Sequence, residues 1–401
     1  MSKPLISFHK SARLPRLIVT DLDGTLLTPQ HTISRRSVDA LLSAQRHNSP
    51  PTHDHDDGNS SHHADSAAAT AAAVATTTPS IQIMIASGRS PRSVQKVIDL
   101  FNGLMMPDTV LCCNGALSYN PKTRTISYPQ FVSLPQARLM VERLRAEITH
   151  HGTPRSQIPI KDLPEEDRLK DLPEEDRLKD TPLERPLVVP GRPGFACEVI
   201  YFEDRGLSSS NGVVTYAQDT SFVCDRTWES QRKHTFYYDY TVVDDTMEQF
   251  LASLESRGGV VKLMALDRNR PAPALYESLP ESLRMASVAD TTTTTTTTNA
   301  HMATSSEPQV TLTYSGDYFL EISAAGVNKG LGLEKYCEAN QIAREDVVAF
   351  GDLLNDAEML QFAGLGLCMG NGHEDMKKLA DRVIGANAED GLAKEVESWF
   401  S

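Results

Sequence analysis

The chain has 401 residues, 40% of them hydrophobic, and a formal net charge of −14 at pH 7, which is enough length and apolar material for two or three domains with proper cores. With no basic clusters and no interleaving of basic and aromatic residues, this acidic balance excludes a nucleic-acid surface and an anionic membrane as partners. No apolar run approaches the roughly 18 residues of a membrane helix, the opening MSKPLISFHK lacks a signal-peptide core, and six cysteines without metal spacing read as reduced thiols of a cytoplasmic protein.

In chain order, an apolar run at residues 17–20 predicts a first core strand, followed by an acidic turn at 21–24 and a helical pattern. A stretch rich in His, Asp, Ala and Thr at 48–80 then reads as a disordered surface insertion, and its histidines as low complexity without fixed metal geometry. Runs at 81–86 and near Val110 predict two more core strands. The middle holds strand-like runs at 125–132, 197–203, 213–220, 260–266, 310–314 and 318–322, with helical patterns at 135–150 and 244–257. Two further insertions interrupt it. The one at 155–190 contains KDLPEEDRL twice in tandem, too short for a solenoid and read as a charged linker, and the one at 287–308 contains a threonine run. Strands near Val347, Gly366 and Arg382 close the chain. The reading is α/β: a Rossmann-like parallel sheet core from residues 1–117 and 325–401, with an inserted α+β cap domain at 118–324.

Two aspartates two apart on extended backbone, Asp21 and Asp23, point the same way, and Gly24 after them lets the chain turn sharply. A carboxylate is ionised near neutral pH and forms acyl-phosphates in some phosphoryl-transfer enzymes, with no base needed for the first attack. Taken alone, Asp-x-Asp-Gly fits a calcium loop or an ordinary acidic turn equally well. Three further places bear on it. The run IQIMIASGR at 81–89 ends in Ser87 and Gly88, a hydroxyl and a flexible amide suited to phosphate oxygens. Lys329, in GVNKG, stands just before a helical pattern as a point positive charge. VVAFGDLLNDAEM at 347–359 is a strand ending in Asp352, with Asn355 and Asp356 following. HExxH, paired CxxC and GxxxxGK motifs are absent, so zinc hydrolysis and P-loop chemistry lack their equipment.

In this order the four motifs resemble those of the haloacid dehalogenase superfamily, and more narrowly its Cof-type phosphatases with a type IIB cap. Supporting stretches are DLDGTLLTPQHTIS at 21–34, ASGRSP at 86–91, CNGA at 113–116, YFLEISAAGVNKG at 318–330, FGDLLNDAEML at 350–360 and CMGNG at 368–372. The resemblance covers the two ends of the chain well and the middle poorly. It implies a phosphatase that uses Mg2+ and a phosphoaspartate to hydrolyse a small phosphorylated metabolite, a sugar phosphate or a phosphorylated cofactor. Carried over residue by residue, it implies Asp21 as nucleophile and Asp23 as the acid that protonates the leaving oxygen and then activates water. Ser87 and Lys329 would bind the transferring group, with the amides of Leu22 and Gly88 and the side chain of Asn355 close by. Asp21, the Asp23 carbonyl and Asp352 would hold the metal, with Asp356 supporting the site. Leu353 and Leu354 depart from the pattern, where a small and a polar residue are commoner, but the ligand spacing is intact. Two alternatives stand beside hydrolysis: a phosphosugar mutase of the same superfamily, and a catalytically silent binding protein. The intact acids and lysine oppose the latter. Oligomeric state and the particular ester are not legible in the sequence.

Overall fold

Leu17–Thr20 form strand β1, buried at all four positions, as expected of a parallel strand covered on both faces. The computed structural model describes residues 8, 13–47, 80–101, 103, 105–150, 193–202, 215–217, 220–231, 240–243, 246–267, 269–281, 284, 310–314 and 318–401. The tandem nonapeptide, the threonine run and the histidine cluster lie outside these residues. β1 runs parallel to β2 (Gln82–Ala86) on one side and to β13 (Val347–Gly351) on the other. Parallel pairing continues outward to β3 (Thr109–Cys112) and, on the far side, to β14 (Leu365–Cys368) and β15 (Arg382–Val383). The pleat assigns the core: Ile18 packs with Leu41 of helix α1 (Arg35–His47) and Val396 of helix α10 (Gly391–Ser398). Leu17 and Val19 face the other way, toward Leu333 of helix α7 (Lys329–Ala339) and Met359 of helix α8 (Ala357–Phe362).

Beyond β3 the sheet turns antiparallel through β4 (Leu117–Asn120), β5 (Thr125–Ser127) and β7 (Thr215–Ala217). Two runs expected among the strands of the middle region, 125–132 and 213–220, thus contribute β5 and β7 to the larger sheet. The first run breaks at Tyr128, whose φ is +55°, and resumes only as a lone bridge from Val132 to Val260.

The second sheet has the order β11, β12, β10, β6, β8, β9. Its strands are β6 (Gly194–Tyr201), β8 (Ser221–Asp225), β9 (Tyr240–Val243), β10 (Gly258–Leu266), β11 (Val310–Thr313) and β12 (Leu320–Ala324). All neighbours pair antiparallel except β8 and β9. Helices α3 (Leu134–His150) and α5 (Met247–Ser253) cover one face, packing on Cys197, Val199, Leu263 and Ile322. Helix α5 starts later than the pattern at 244–257 suggests, because Thr246 and Gln249 close a reciprocal capping box there, and it ends at Ser253. The opposite face carries Glu198, Phe222, Lys262, Met264 and Glu321 and looks onto a cavity shared with the larger sheet.

Candidate active site

Asp21, Ser87 and Asp352 each follow the last residue of β1, β2 and β13, three adjacent parallel strands. Strand carboxyl ends are where open α/β sheets gather their functional groups. Helix α7 completes the set: Asn328 caps it by accepting from the Leu331 amide, which brings Lys329 in at the first turn. The Lys329 ammonium donates to Asp21 Oδ1 at 2.6 Å and to Asp356 Oδ1 at 2.7 Å, all three side chains being buried. Asp356 Oδ2 accepts from the amides of Asp352 and Leu353 at 2.9 and 3.1 Å. Asp352 Oδ1 accepts from the Thr25 hydroxyl at 2.9 Å.

Asp23 behaves differently. Its carboxylate takes a two-pronged contact from Arg89, 2.7 and 2.5 Å, with His31 at 3.6 Å, and about 40% of the side chain is exposed. Ser87 is buried, and its Oγ accepts from the Arg89 amide at 3.1 Å. Asp21, Asp23, Ser87, Gly88 and Asn355 all line one cavity of about 520 Å³, within the range of small-molecule sites. Leu22 lies behind it, its side chain fully buried in the core.

The charges are unevenly matched. Burial pushes the Asp21 carboxyl up; Lys329 pulls it down, but the charges of Asp356 and Asp352 push it further up. Asp352 is pushed up to about 7, first by burial and then by the charge of Asp356, against the hydrogen bond from Thr25. Burial alone would lower the Lys329 ammonium, but Asp21 and Asp356 outweigh that and hold it protonated. Three carboxylates therefore share one buried ammonium, and their oxygens come within 4.8 Å of one another. Such an arrangement suits a hard divalent cation, which offsets the surplus negative charge. For Asp23 burial again acts upward, but hydrogen bonds from His31 and Arg89 and the arginine's charge hold it at about 2.

A second polar network joins the two sheets at the cavity. Lys262 donates to the Gly88 carbonyl at 2.8 Å and to Glu321 Oε1 at 2.7 Å. Glu321 Oε2 accepts from Asn114 at 2.9 Å, and Asn114 Oδ1 accepts from Asn355 at 3.2 Å. Asn114 has φ +56°, a left-handed conformation that Asn tolerates better than most residues, and this turns the CNGA stretch toward both partners. A charged residue inside an apolar strand, as in VVKLM at 260–264, is the signal that would have found Lys262.

A profile of haloacid dehalogenase-like hydrolases matches residues 59–143 and 266–396, more than half of the chain. The chain belongs to that family, in its Cof-type branch. Over 84 residues it is 44% identical to the 5-amino-6-(5-phospho-D-ribitylamino)uracil phosphatase YitU of Bacillus subtilis, covering 21% of this chain and 31% of that protein. Over 79 residues it is 43% identical to the pyridoxal phosphate phosphatase YbhA of Escherichia coli, covering 20% and 29%. The chain thus spans about a third of the length of these curated relatives. The fold is shared with a haloacid dehalogenase-like hydrolase from Bacteroides thetaiotaomicron at TM-score 0.53 and 20% identity, covering 96% of this chain and all of that one. Among the described residues no helix is long and apolar enough to cross a membrane.

Proposed function

We propose that this protein is a magnesium-dependent phosphatase of small phosphorylated metabolites that works through a phosphoaspartate on Asp21. The observation that carries the reading is the meeting of Asp21, Lys329, Asp352 and Asp356 at the ends of adjacent strands, beside a cavity also lined by Ser87, Gly88 and Asn355. Two relatives named as phosphatases, one of a ribityl phosphate and one of pyridoxal phosphate, support the substrate class.

In this reading Asp21, the Asp23 backbone carbonyl and Asp352 hold Mg2+, while Asp356, with both oxygens engaged by Lys329 and two amides, fixes the position of the others. The ion supplies Lewis-acid neutralisation of phosphate oxygens. Ser87 and the amides of Leu22 and Gly88 orient the phosphoryl group, and Lys329 neutralises the charge that accumulates as Asp21 attacks phosphorus. The P–O bond to the leaving group breaks as Asp23 gives that oxygen a proton. Asp23 then takes a proton from the water that opens the acyl-phosphate. To act as the acid, the Asp23 carboxylate has to part from Arg89 and take up a proton from solvent, to which about 40% of its side chain is open; a phosphate dianion entering beside Ser87 competes for that guanidinium.

The test is phosphate release from a panel of small phosphate esters with Mg2+, run on the parent and on Asp21→Asn. The variant is expected to lose roughly a thousandfold or more in kcat while melting as a folded protein. Comparable release by both would remove Asp21 as nucleophile.

A further inference from the structure

The turn between β3 and β4 is built from backbone that side chains disfavour. Cys113, Asn114 and Gly115 have φ of +52°, +56° and +86°, three successive residues in the left-handed region, where glycine alone sits without cost. Cys113 and Asn114 are both buried. Strain of this kind persists only where the surroundings hold it, and it gathers at functional sites. Here the surroundings are the candidate active site. The Cys113 amide donates to the Arg89 carbonyl at 2.9 Å and the Asn114 amide to the Ser87 carbonyl at 3.0 Å. A Cβ on Gly115 would lie 2.4 Å from the carbonyl oxygen of Asn328, the residue before Lys329. One short turn therefore braces both the loop that carries Ser87 and the start of helix α7.

The Asn114 side chain adds a direction. Lys262 can only donate, and it takes Oε1 of Glu321, whose remaining oxygen again needs a donor. Asn114 supplies Nδ2 at 2.9 Å, which leaves its Oδ1 to accept from Asn355 Nδ2 at 3.2 Å. The order of donors and acceptors is thus set from Lys262 outward. Turning the Asn355 amide over would bring two carbonyl oxygens together, so its orientation is held before any ester arrives. Asn355 lines the cavity, whereas Asn114 is not part of its wall.

We infer that Asn114 is a positioning residue: its amide passes the order set by Lys262 and Glu321 on to Asn355, and so fixes which group Asn355 turns to the phosphoryl group. This rests on the phosphatase reading above and adds to it a residue that touches neither ester nor metal. Preorganised polar groups act on the transition state without a reorganisation cost, so the loss on removing Asn114 falls on kcat more than on KM.

The experiment is a double-mutant cycle on Asn114→Gly and Asn355→Ala, followed by phosphate release with Mg2+ on whichever ester of the panel the parent cleaves fastest. Glycine suits the left-handed backbone, so Asn114→Gly removes the amide and leaves the turn. Its kcat is expected to fall roughly tenfold, with KM within about twofold. The double variant is expected to be no slower than Asn355→Ala, since Asn114 then has nothing left to position. Asn114→Asp keeps the size and tolerates the same φ but sets an acceptor against Glu321; it gives the same pattern and serves if Asn114→Gly does not fold. An Asn114→Gly protein as fast as the parent overturns the inference. So does a double variant slower than Asn355→Ala, which marks Asn114 as a prop of the fold acting apart from Asn355. Both outcomes leave the phosphatase reading standing. A parent inactive on the whole panel strikes that reading itself, and this inference falls with it.

Discussion

Lys329 is the single side chain on which the charge balance of the site turns. Replacing it with methionine leaves the Asp21 and Asp356 carboxylates buried without their shared partner. Removing one partner of a buried ion pair costs roughly 3–5 kcal/mol, so Lys329→Met is expected to lower the urea midpoint of unfolding by that equivalent in EDTA. Mg2+ should restore part of the loss, because a divalent cation supplies charge to the same carboxylates. Equal midpoints for parent and variant in EDTA would mean that the cluster is neutralised by protons instead. Asp23 gives a prediction of opposite kind. Its folded-state value of about 2 lies below the roughly 3.9 of an unfolded aspartate. Between those values the unfolded chain binds more protons, so this group contributes stability above about pH 4 that is lost as pH falls through about 2. With 40% of the side chain exposed, the contribution stays within about 1 kcal/mol. In Arg89→Ala the Asp23 carboxyl resonance is expected to titrate higher than in the parent; an unmoved midpoint would assign the depression to His31 alone. At this scale Asp21, Ser87, Lys329 and Asp352 were legible because each stands next to an apolar strand or a helix start, where residue type and spacing carry chemistry. Lys262 was not, since its significance depends on neighbours far along the chain, Gly88 lying 174 positions away.

The turn after β1 shows how an element constrains the site. Gly24 has φ +84°, and a Cβ added there would lie 2.2 Å from Asp352 Oδ2. Both the left-handed backbone and the close approach therefore require glycine. Gly24→Ala is expected to cost about 1–3 kcal/mol in stability through backbone strain. It should also displace the Asp352 carboxylate, raising the Mg2+ concentration needed for half-maximal activity. An unchanged Mg2+ requirement in a destabilised variant would show that Asp352 yields without consequence for the metal. Elements with unbroken apolar runs, β1, β2 and β13, were readable because burial on both faces leaves a plain sequence signal. The antiparallel extension was not. β5 and β7 have three residues each, and which sheet so short a strand joins is settled by pairing partners rather than by its own pattern. The capping box at Thr246 and Gln249 was present in the sequence, in TMEQ, and sets the start of helix α5 more closely than the hydrophobic pattern does.

Across the whole molecule the two sheets meet through polar groups as well as apolar ones. Lys262 reaches from β10 to the carbonyl of Gly88 in the loop after β2, and Glu321 reaches from β12 to Asn114 after β3. The Lys262 and Glu321 side chains are 5% and 1% exposed, so neither charge has water to fall back on if the other is removed. Burial by itself would lower the Lys262 ammonium, but the charge of Glu321 overrides it and keeps the lysine protonated. Such a pair adds little net stability over a well-packed apolar pair, yet breaking it is costly. Lys262→Met is therefore expected to lose roughly 3–5 kcal/mol in urea unfolding. Lys262→Met combined with Glu321→Gln should recover part of that, because the stranded carboxylate is gone; the coupling between the two changes measures the pair itself. Gly88 would orient the phosphoryl group common to every ester, so loosening its carbonyl in Lys262→Met should lower kcat on a sugar phosphate and on phenyl phosphate, whose leaving group carries no hydroxyl beyond the ester oxygen, by similar factors. A loss confined to the sugar phosphate would instead place Lys262 chiefly at the leaving group, and a variant as stable and as active as the parent would make the bridge between the sheets incidental to both.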